Sequence, residues 1–352
     1  MSAQIDEAKM NAFMGKIVGD MGAAISGALI VVGDRLGLYK ALAEGGAQTP
    51  AQLASATNTH ERYVREWLSH QAAAGYVTYD AESGNFSMTP EQAACFAIDE
   101  SPALVTGGFY SIASVYNDES KLADAFRSGE GIGWGDHHSC LFCGTAKFFK
   151  PGYDANLTQT WLPALDGAVE RLESGIEVAD VGCGYGLSTM IMAAAYPNSN
   201  FVGFDIHEPS LVEARKIAAE RGLTNIRFEQ ATAKDYPGSN YGLVTFFDCL
   251  HDMGDPRGAA KHVRASLADG GSWMIVEPFA QDALEENLNP VGCVYYGFST
   301  AVCTPASLSQ EVGEALGAQA GEARLKDVVM SGGFGSFRRA FETPLNLVLE
   351  AK

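Results

Sequence analysis

The sequence predicts an α/β protein with an α-rich domain in front of it, and three observations carry that prediction. From about residue 171 apolar strand-like runs alternate with helical ones, which argues a parallel sheet with helices on both faces. The last two runs, "FRRAFE" and "NLVLEA", are separated only by Thr343-Pro344-Leu345, and strands joined that tightly must be antiparallel. Residues 1–100 read instead as helices followed by a short hairpin.

Taken in order, residues 23–44 place Leu29, Val32, Leu36, Tyr39 and Leu42 at helical spacing. Asn58 with Glu61 three residues on predicts a capping box for a later helix, which sets Tyr63, Val64, Trp67 and Leu68 on one face. Gly75 ends that helix, and "YVTYDAESGNFSMT" has the turn chemistry of a β-hairpin. Three helices and a two-stranded wing make a winged helix. Met21 to Gly33, interrupted by Gly22, Gly27 and Gly33, reads as too short to span a bilayer. Residues 101–170, with "WGDHHSCLFCGTAKFFKPGY", read as a helical connector that caps a binding cleft. The alternating region follows: strands at 177–181, 200–205, 225–229, 242–248 and 271–277, with helices at 187–195, 209–221 and 256–268. The expected division is therefore 1–100, 101–170 and 171–352.

Bulk properties bound the function. The 352 residues suffice for more than one domain, and a net charge of −19 disfavours nucleic acid, whose phosphates need clustered Lys and Arg. Winged helices often bind DNA, yet residues 1–100 carry 6 Lys and Arg against 12 Asp and Glu. Dimerisation through this domain, and through the apolar helices at 10–40, is the expectation. An acidic surface gives no help on anionic membranes, so no membrane partner is expected. The seven scattered cysteines and the absence of an apolar leader predict a cytoplasmic protein with reduced thiols.

The stretch "VADVGCGYG" runs a strand into Gly182, Gly184 and Gly186. A dinucleotide loop would need a third glycine where Leu187 stands, and a phosphate-binding loop would need a nearby Lys. The backbone freedom for close ligand approach is present without the phosphate-gripping parts. Asp205 ends "NFVGFD", where a carboxylate can accept both hydroxyls of a ribose.

These segments, with "GLVTFFDCLHDMGDP" and the terminal hairpin, resemble the successive motifs of class I S-adenosylmethionine-dependent methyltransferases, whose sheet is Rossmann-like. The N-terminal "LGLYKALAEGG" through "AAGYV" is similar to the winged-helix domain of small-molecule methyltransferases, plant O-methyltransferases among them. The resemblance implies S-adenosylmethionine as cofactor and S-adenosylhomocysteine as product. It implies that Gly182, Gly184 and Gly186 pass under the methionine and ribose, that Asp180 helps hold the amino group, and that Asp205 holds the ribose. Thr232 and Ala233 stand at the adenine, with Thr232 where the family commonly has Asp, and Asp248 is counted with the cofactor's residues.

For the acceptor, His251 lies just past the fourth strand, at the carboxyl edge where such sheets bind ligands. The resemblance implies that it deprotonates a hydroxyl, oriented by Asp252 or a nearby carboxylate. A thioether acceptor such as methylthiohydroxybutyrate, as in marine dimethylsulfoniopropionate synthesis, would need no base, only alignment and aromatic or carboxylate groups that tolerate a cation. Tyr295, Tyr296 and Glu277 could supply those, and His137, His138 and Tyr153 are expected to line the same cleft. No metal site is expected: adjacent His137 and His138 cannot easily point the same way, although Cys140 and Cys143 stand close by in sequence. A ligand-sensing winged-helix regulator is the rival reading, and it would need a basic recognition helix.

Overall fold

The computed structural model describes residues 5–352. The chain divides into two compact units, Met1–Ala113 with Cys143–Pro151, and Ser114–Phe142 with Gly152–Lys352. Residues of the connector expected at 101–170 fall in both units.

In the first unit, α1 (Glu7–Arg35), α2 (Leu38–Gly45), α3 (Pro50–Ala56), α4 (Glu61–Ala73) and α5 (Pro90–Phe96) accompany a hairpin of β1 (Thr78–Asp80) and β2 (Asn85–Ser87). Gly37 adopts φ +68° and breaks the first apolar run into α1 and α2, a left-handed step that glycine takes without cost. Helices α3 and α5 start alike: Thr49 and Thr89 each cap the backbone, with Gln52 and Gln92 completing the capping boxes. The box expected at Asn58 and Glu61 does not form. Asn58 is itself left-handed at φ +51°, and His60 caps α4 by accepting from the Arg62 N–H. Val64, Trp67 and Leu68 are buried from α4, whereas Tyr63 points to solvent. Ile30, Tyr39, Leu42, Leu53, Trp67 and Phe96 form the core, and Trp67 donates its indole N–H to the Leu29 carbonyl, 2.9 Å away. Each such apolar side chain contributes about 1.5–3 kcal/mol by leaving water.

Helix α1 departs from expectation. Its glycines do not interrupt it, and its 29 residues are by length and composition alone enough to cross a membrane. Shortness therefore gives no reason against a bilayer span. The helix carries Lys16 paired with Asp20 midway along it.

The second unit is built on a seven-stranded sheet: β3 (Glu177–Val181), β4 (Asn200–Asp205), β5 (Ile226–Gln230), β6 (Tyr241–Phe247), β7 (Leu267–Pro278), β8 (Phe337–Glu342) and β9 (Asn346–Ala351), in spatial order β5-β4-β3-β6-β7-β9-β8. Strands β3 to β7 are parallel, while β9 pairs antiparallel with both β7 and β8. All seven residues of β6 are buried, as expected of a central parallel strand covered on both faces. The strand order reverses between β3 and β6, and the crevice outside the carboxyl ends there is where open α/β sheets bind ligands. Because β9 runs the other way, its first residue, Asn346, arrives at that same edge, paired with Pro278 of β7.

Candidate active site

The glycine loop leaves β3 and curls over the end of β4. The N–H groups of Gly182 and Cys183 donate to the Phe204 carbonyl at 2.8 and 3.0 Å. Gly182, Gly184 and Gly186 all have positive φ. At Gly182 a Cβ would stand 2.7 Å from the Cys249 sulfur, and at Gly186 it would stand 2.4 Å from the Phe228 ring. At Gly184 it would meet nothing within 4 Å, so this is the open face of the loop. Gly186→Ala is expected to cost roughly 1–2 kcal/mol in left-handed backbone and a further 1–3 kcal/mol in overpacking. That should lower the melting temperature by about 5–10 °C, and an unchanged melt would contradict the packing described.

Asp205 is nine-tenths buried at the end of β4, and its two oxygens accept from the Gly184 and His207 N–H groups, each at 2.8 Å. Burial pushes its pKa up, against the pull of those donors. Each oxygen keeps a second lone pair for a ligand hydroxyl. His207 stacks on Phe142 with ring centroids 4.3 Å apart, so an aromatic wall stands beside this carboxylate. Neither ring was foreseen, because Phe142 is far away in sequence and its approach is tertiary.

Asp180 is held by the chain's own hydroxyl groups. It is fully buried, and its carboxylate accepts from Ser188 (2.8 Å), Thr189 (2.5 Å) and Thr245 (2.9 Å). Burial pushes it up to about 6 despite those three donors. It ties β3 to the start of helix Leu187–Ala195 and to β6, so it braces the loop from beneath. Thr232 is likewise engaged: its hydroxyl donates to Asp235 at 2.6 Å, and the Thr232 N–H meets the same oxygen at 3.0 Å. Ala233 is half-buried, packed against the main core.

His251 sits in a 3-10 turn past β6 and is buried. Its Nδ1 lies 2.5 Å from Glu277 Oε2, while Glu277 Oε1 accepts the Leu250 N–H at 2.9 Å. The orienting carboxylate is thus Glu277, and not Asp252. Glu277 is itself buried and stands behind the histidine. Burial alone would lower the imidazole pKa, but the Glu277 charge, followed by the Cys303 sulfur beside the ring, holds it well above the usual value. Burial pushes Asp252 up to about 7 against the pull of His251, with Glu277 and Asp205 adding to the rise.

Asp248 gathers Tyr153 and Asn346. The Tyr153 hydroxyl donates to Oδ2 and the Asn346 amide to Oδ1, both at 3.1 Å. Burial, then the Glu277 charge, pushes Asp248 up to about 8. Tyr295 is buried and donates its hydroxyl to the Leu345 carbonyl at 2.8 Å, which fixes its helix to the hairpin turn. Tyr296 is half-buried on the same helix. His137 is buried with Nδ1 3.4 Å from Asp118, and its Nε2 has no hydrogen-bond partner. Burial lowers its pKa. His138 donates its N–H to Asp118, and its ring accepts from the Cys140 N–H. Among the described residues no group of three or more His, Cys, Asp and Glu is placed to hold a metal.

Comparison with known proteins accords with this fold. Residues 172–316 match the family model described as a methyltransferase domain, and residues 23–97 match an Rv2258c-like winged HTH domain. A tRNA (guanine-N(7)-)-methyltransferase of Bifidobacterium longum subsp. infantis is 28% identical over 125 residues, 30% of this chain and 42% of the relative. The chain thus spans less than half the length of that curated relative. Among solved structures, human N-acetylserotonin methyltransferase in complex with SAM superposes with a TM-score of 0.72 at 16% identity, covering 100% of this chain and 99% of the other. The mitomycin 7-O-methyltransferase superposes at 0.66 with 18% identity, covering 99% and 100%. The chain therefore carries a Rossmann-like methyltransferase domain behind an Rv2258c-like winged helix-turn-helix domain.

Proposed function

We propose that this protein transfers a methyl group from S-adenosylmethionine to a hydroxyl of a small molecule, with His251 as general base. The observation that carries the reading is the His251–Glu277 pair at the switch-point edge. With Nδ1 hydrogen-bonded to Glu277, a neutral ring keeps its proton there and Nε2 is the basic nitrogen, the Cys303 thiol being the other group that bonds the ring. The cofactor fits the chain's own parts: Gly184 leaves open space above the loop, and Asp205 turns a buried carboxylate to that side. Bound there, S-adenosylmethionine supplies an electrophilic methyl on a cationic sulfur. The chain's work is to hold the acceptor in line with that methyl and to take its proton. Product formation from labelled donor, screened over small hydroxyl compounds by mass spectrometry, tests the reading; no labelled product from any acceptor class would contradict it.

A thioether acceptor is the second reading, and one observation favours it. Asp248, Asp252 and Glu277 gather around His251, and among the described residues no Lys or Arg pairs with any of them. Above their raised pKa values of about 8 and 7, Asp248 and Asp252 join Glu277 in a negative cluster that suits a cationic product. The pH profile separates the two readings. Hydroxyl transfer needs neutral His251, so it should fall as pH drops through a value above 6.5; thioether transfer should lack that limb.

The protein is further proposed to be a cytoplasmic homodimer that does not bind DNA. Cys95, Cys183, Cys249, Cys293 and Cys303 are free thiols, which suits a reducing compartment. Arg62 and Arg65, the cations of α4, are each paired with a glutamate one turn away on the same helix, leaving little for phosphates. Met10, Met14, Val18, Met21 and Ile25 lie exposed along one stripe of α1, an apolar face that a second copy would cover. Sedimentation should show a dimer that Val18→Glu with Ile25→Glu converts to monomer; a wild-type monomer would contradict the assembly.

A further inference from the structure

We propose that Asp248 is a positioning residue for His251: its left-handed backbone, clamped by Tyr153 and Asn346, sets the turn that delivers the imidazole to Glu277. This rests on the reading of His251 as the base. Asp248 is one of five non-glycine residues with positive φ among the described residues, and the one of them that stands at the sheet's ligand edge. Left-handed backbone is uncommon outside glycine, though Asp and Asn tolerate it best. Such a conformation persists only where its surroundings over-determine it, and it concentrates at functional sites.

Here the surroundings come from three elements. The Asp248 N–H donates to the Val276 carbonyl on β7 at 2.7 Å, one residue before Glu277. Its carboxyl group takes the Asn346 amide from the start of β9 and the Tyr153 hydroxyl from helix Cys140–Asn156. Three residues later His251 is in place, with its carbonyl accepting the Gly317 N–H at 3.0 Å. Glu277 meets both the imidazole and the Leu250 N–H, so it grips the turn as a whole. A straight continuation of β6 would place residue 251 elsewhere, and Glu277 would lose both partners. The groups facing the imidazole are Glu277, Cys303, Asp252 and Asp248. None of the three clamps on Asp248 needs its negative charge: in Asp248→Asn the oxygen can still accept the Asn346 amide, while the new amide donates to the Tyr153 hydroxyl, which can also accept.

The test follows the titration of His251 by NMR in protein labelled at histidine nitrogens, so it needs no acceptor. In Asp248→Asn the high midpoint should persist. In Asp248→Ala it should fall toward the free-imidazole value of about 6.5. Calorimetry with S-adenosylmethionine on the same variants should show affinity changed by less than about threefold, since Asp248 acts through His251 and not on the cofactor. An unchanged midpoint in Asp248→Ala overturns the proposal and leaves the base reading standing. An equal fall in both variants also overturns it, because charge rather than shape would then be the cause. Loss of cofactor binding in Asp248→Ala, with the fold intact by circular dichroism, would return Asp248 to the cofactor.

Discussion

His251→Ala is expected to lower methyl transfer to a hydroxyl acceptor by about 10²–10⁴-fold, the usual contribution of a positioned base. The cofactor affinity should be nearly unchanged, because Asp205 bonds Gly184 and His207 while the imidazole bonds Glu277. Glu277→Gln tests the same chain of cause one step back. It removes the charge that holds the imidazole pKa up, while the amide can still meet one of the two donors that Glu277 now accepts. The acid limb of the rate profile should therefore move to lower pH, since a less stabilised imidazolium gives up its proton sooner. Steady-state rates over a pH series, wild type against both variants, read this directly. If His251→Ala keeps full rate on a hydroxyl acceptor, the base lies elsewhere.

Asp205→Ala is the second large effect, and it is expected on binding. The carboxylate offers a ribose two charge-assisted hydrogen bonds, each contributing about 1.5–3 kcal/mol. Losing the pair should weaken S-adenosylmethionine binding by at least about 10²-fold. Asp205 also ties down the Gly184 and His207 N–H groups, so the alanine variant loosens the loop as well. Asp205→Asn keeps one acceptor and should fall between. An intact melting transition in the asparagine variant, alongside weakened binding, would assign the loss to the ligand contact.

Much of the second unit was legible because its signals are local. Strand-length apolar runs and a glycine loop lie within a few residues of one another, and β3, helix Leu187–Ala195 and β4 fall where alternation predicts them. Asp205 and His251 were legible as motif positions. Their partners were not. Glu277 lies 26 residues from His251, Tyr153 lies 95 from Asp248, and Asn346 lies 98 from it. No periodicity within one segment reports contacts made when separate strands meet at a sheet edge. Asp180 shows the same limit from the other side. Its place in the motif was plain, while the Ser188, Thr189 and Thr245 hydroxyls that donate to its carboxylate come from other segments and are not part of that motif. In the first unit, glycines in α1 suggested interruptions that the helix does not make, because each costs only about 1 kcal/mol there.

The central claim is that the loop at Gly182–Gly186 and Asp205 hold S-adenosylmethionine. Titration calorimetry of the wild-type chain with S-adenosylmethionine tests it most directly. The account predicts a saturable heat at one ligand per chain, strongly diminished in Asp205→Ala. No saturable heat in the wild type, or an identical isotherm in Asp205→Ala, would contradict it.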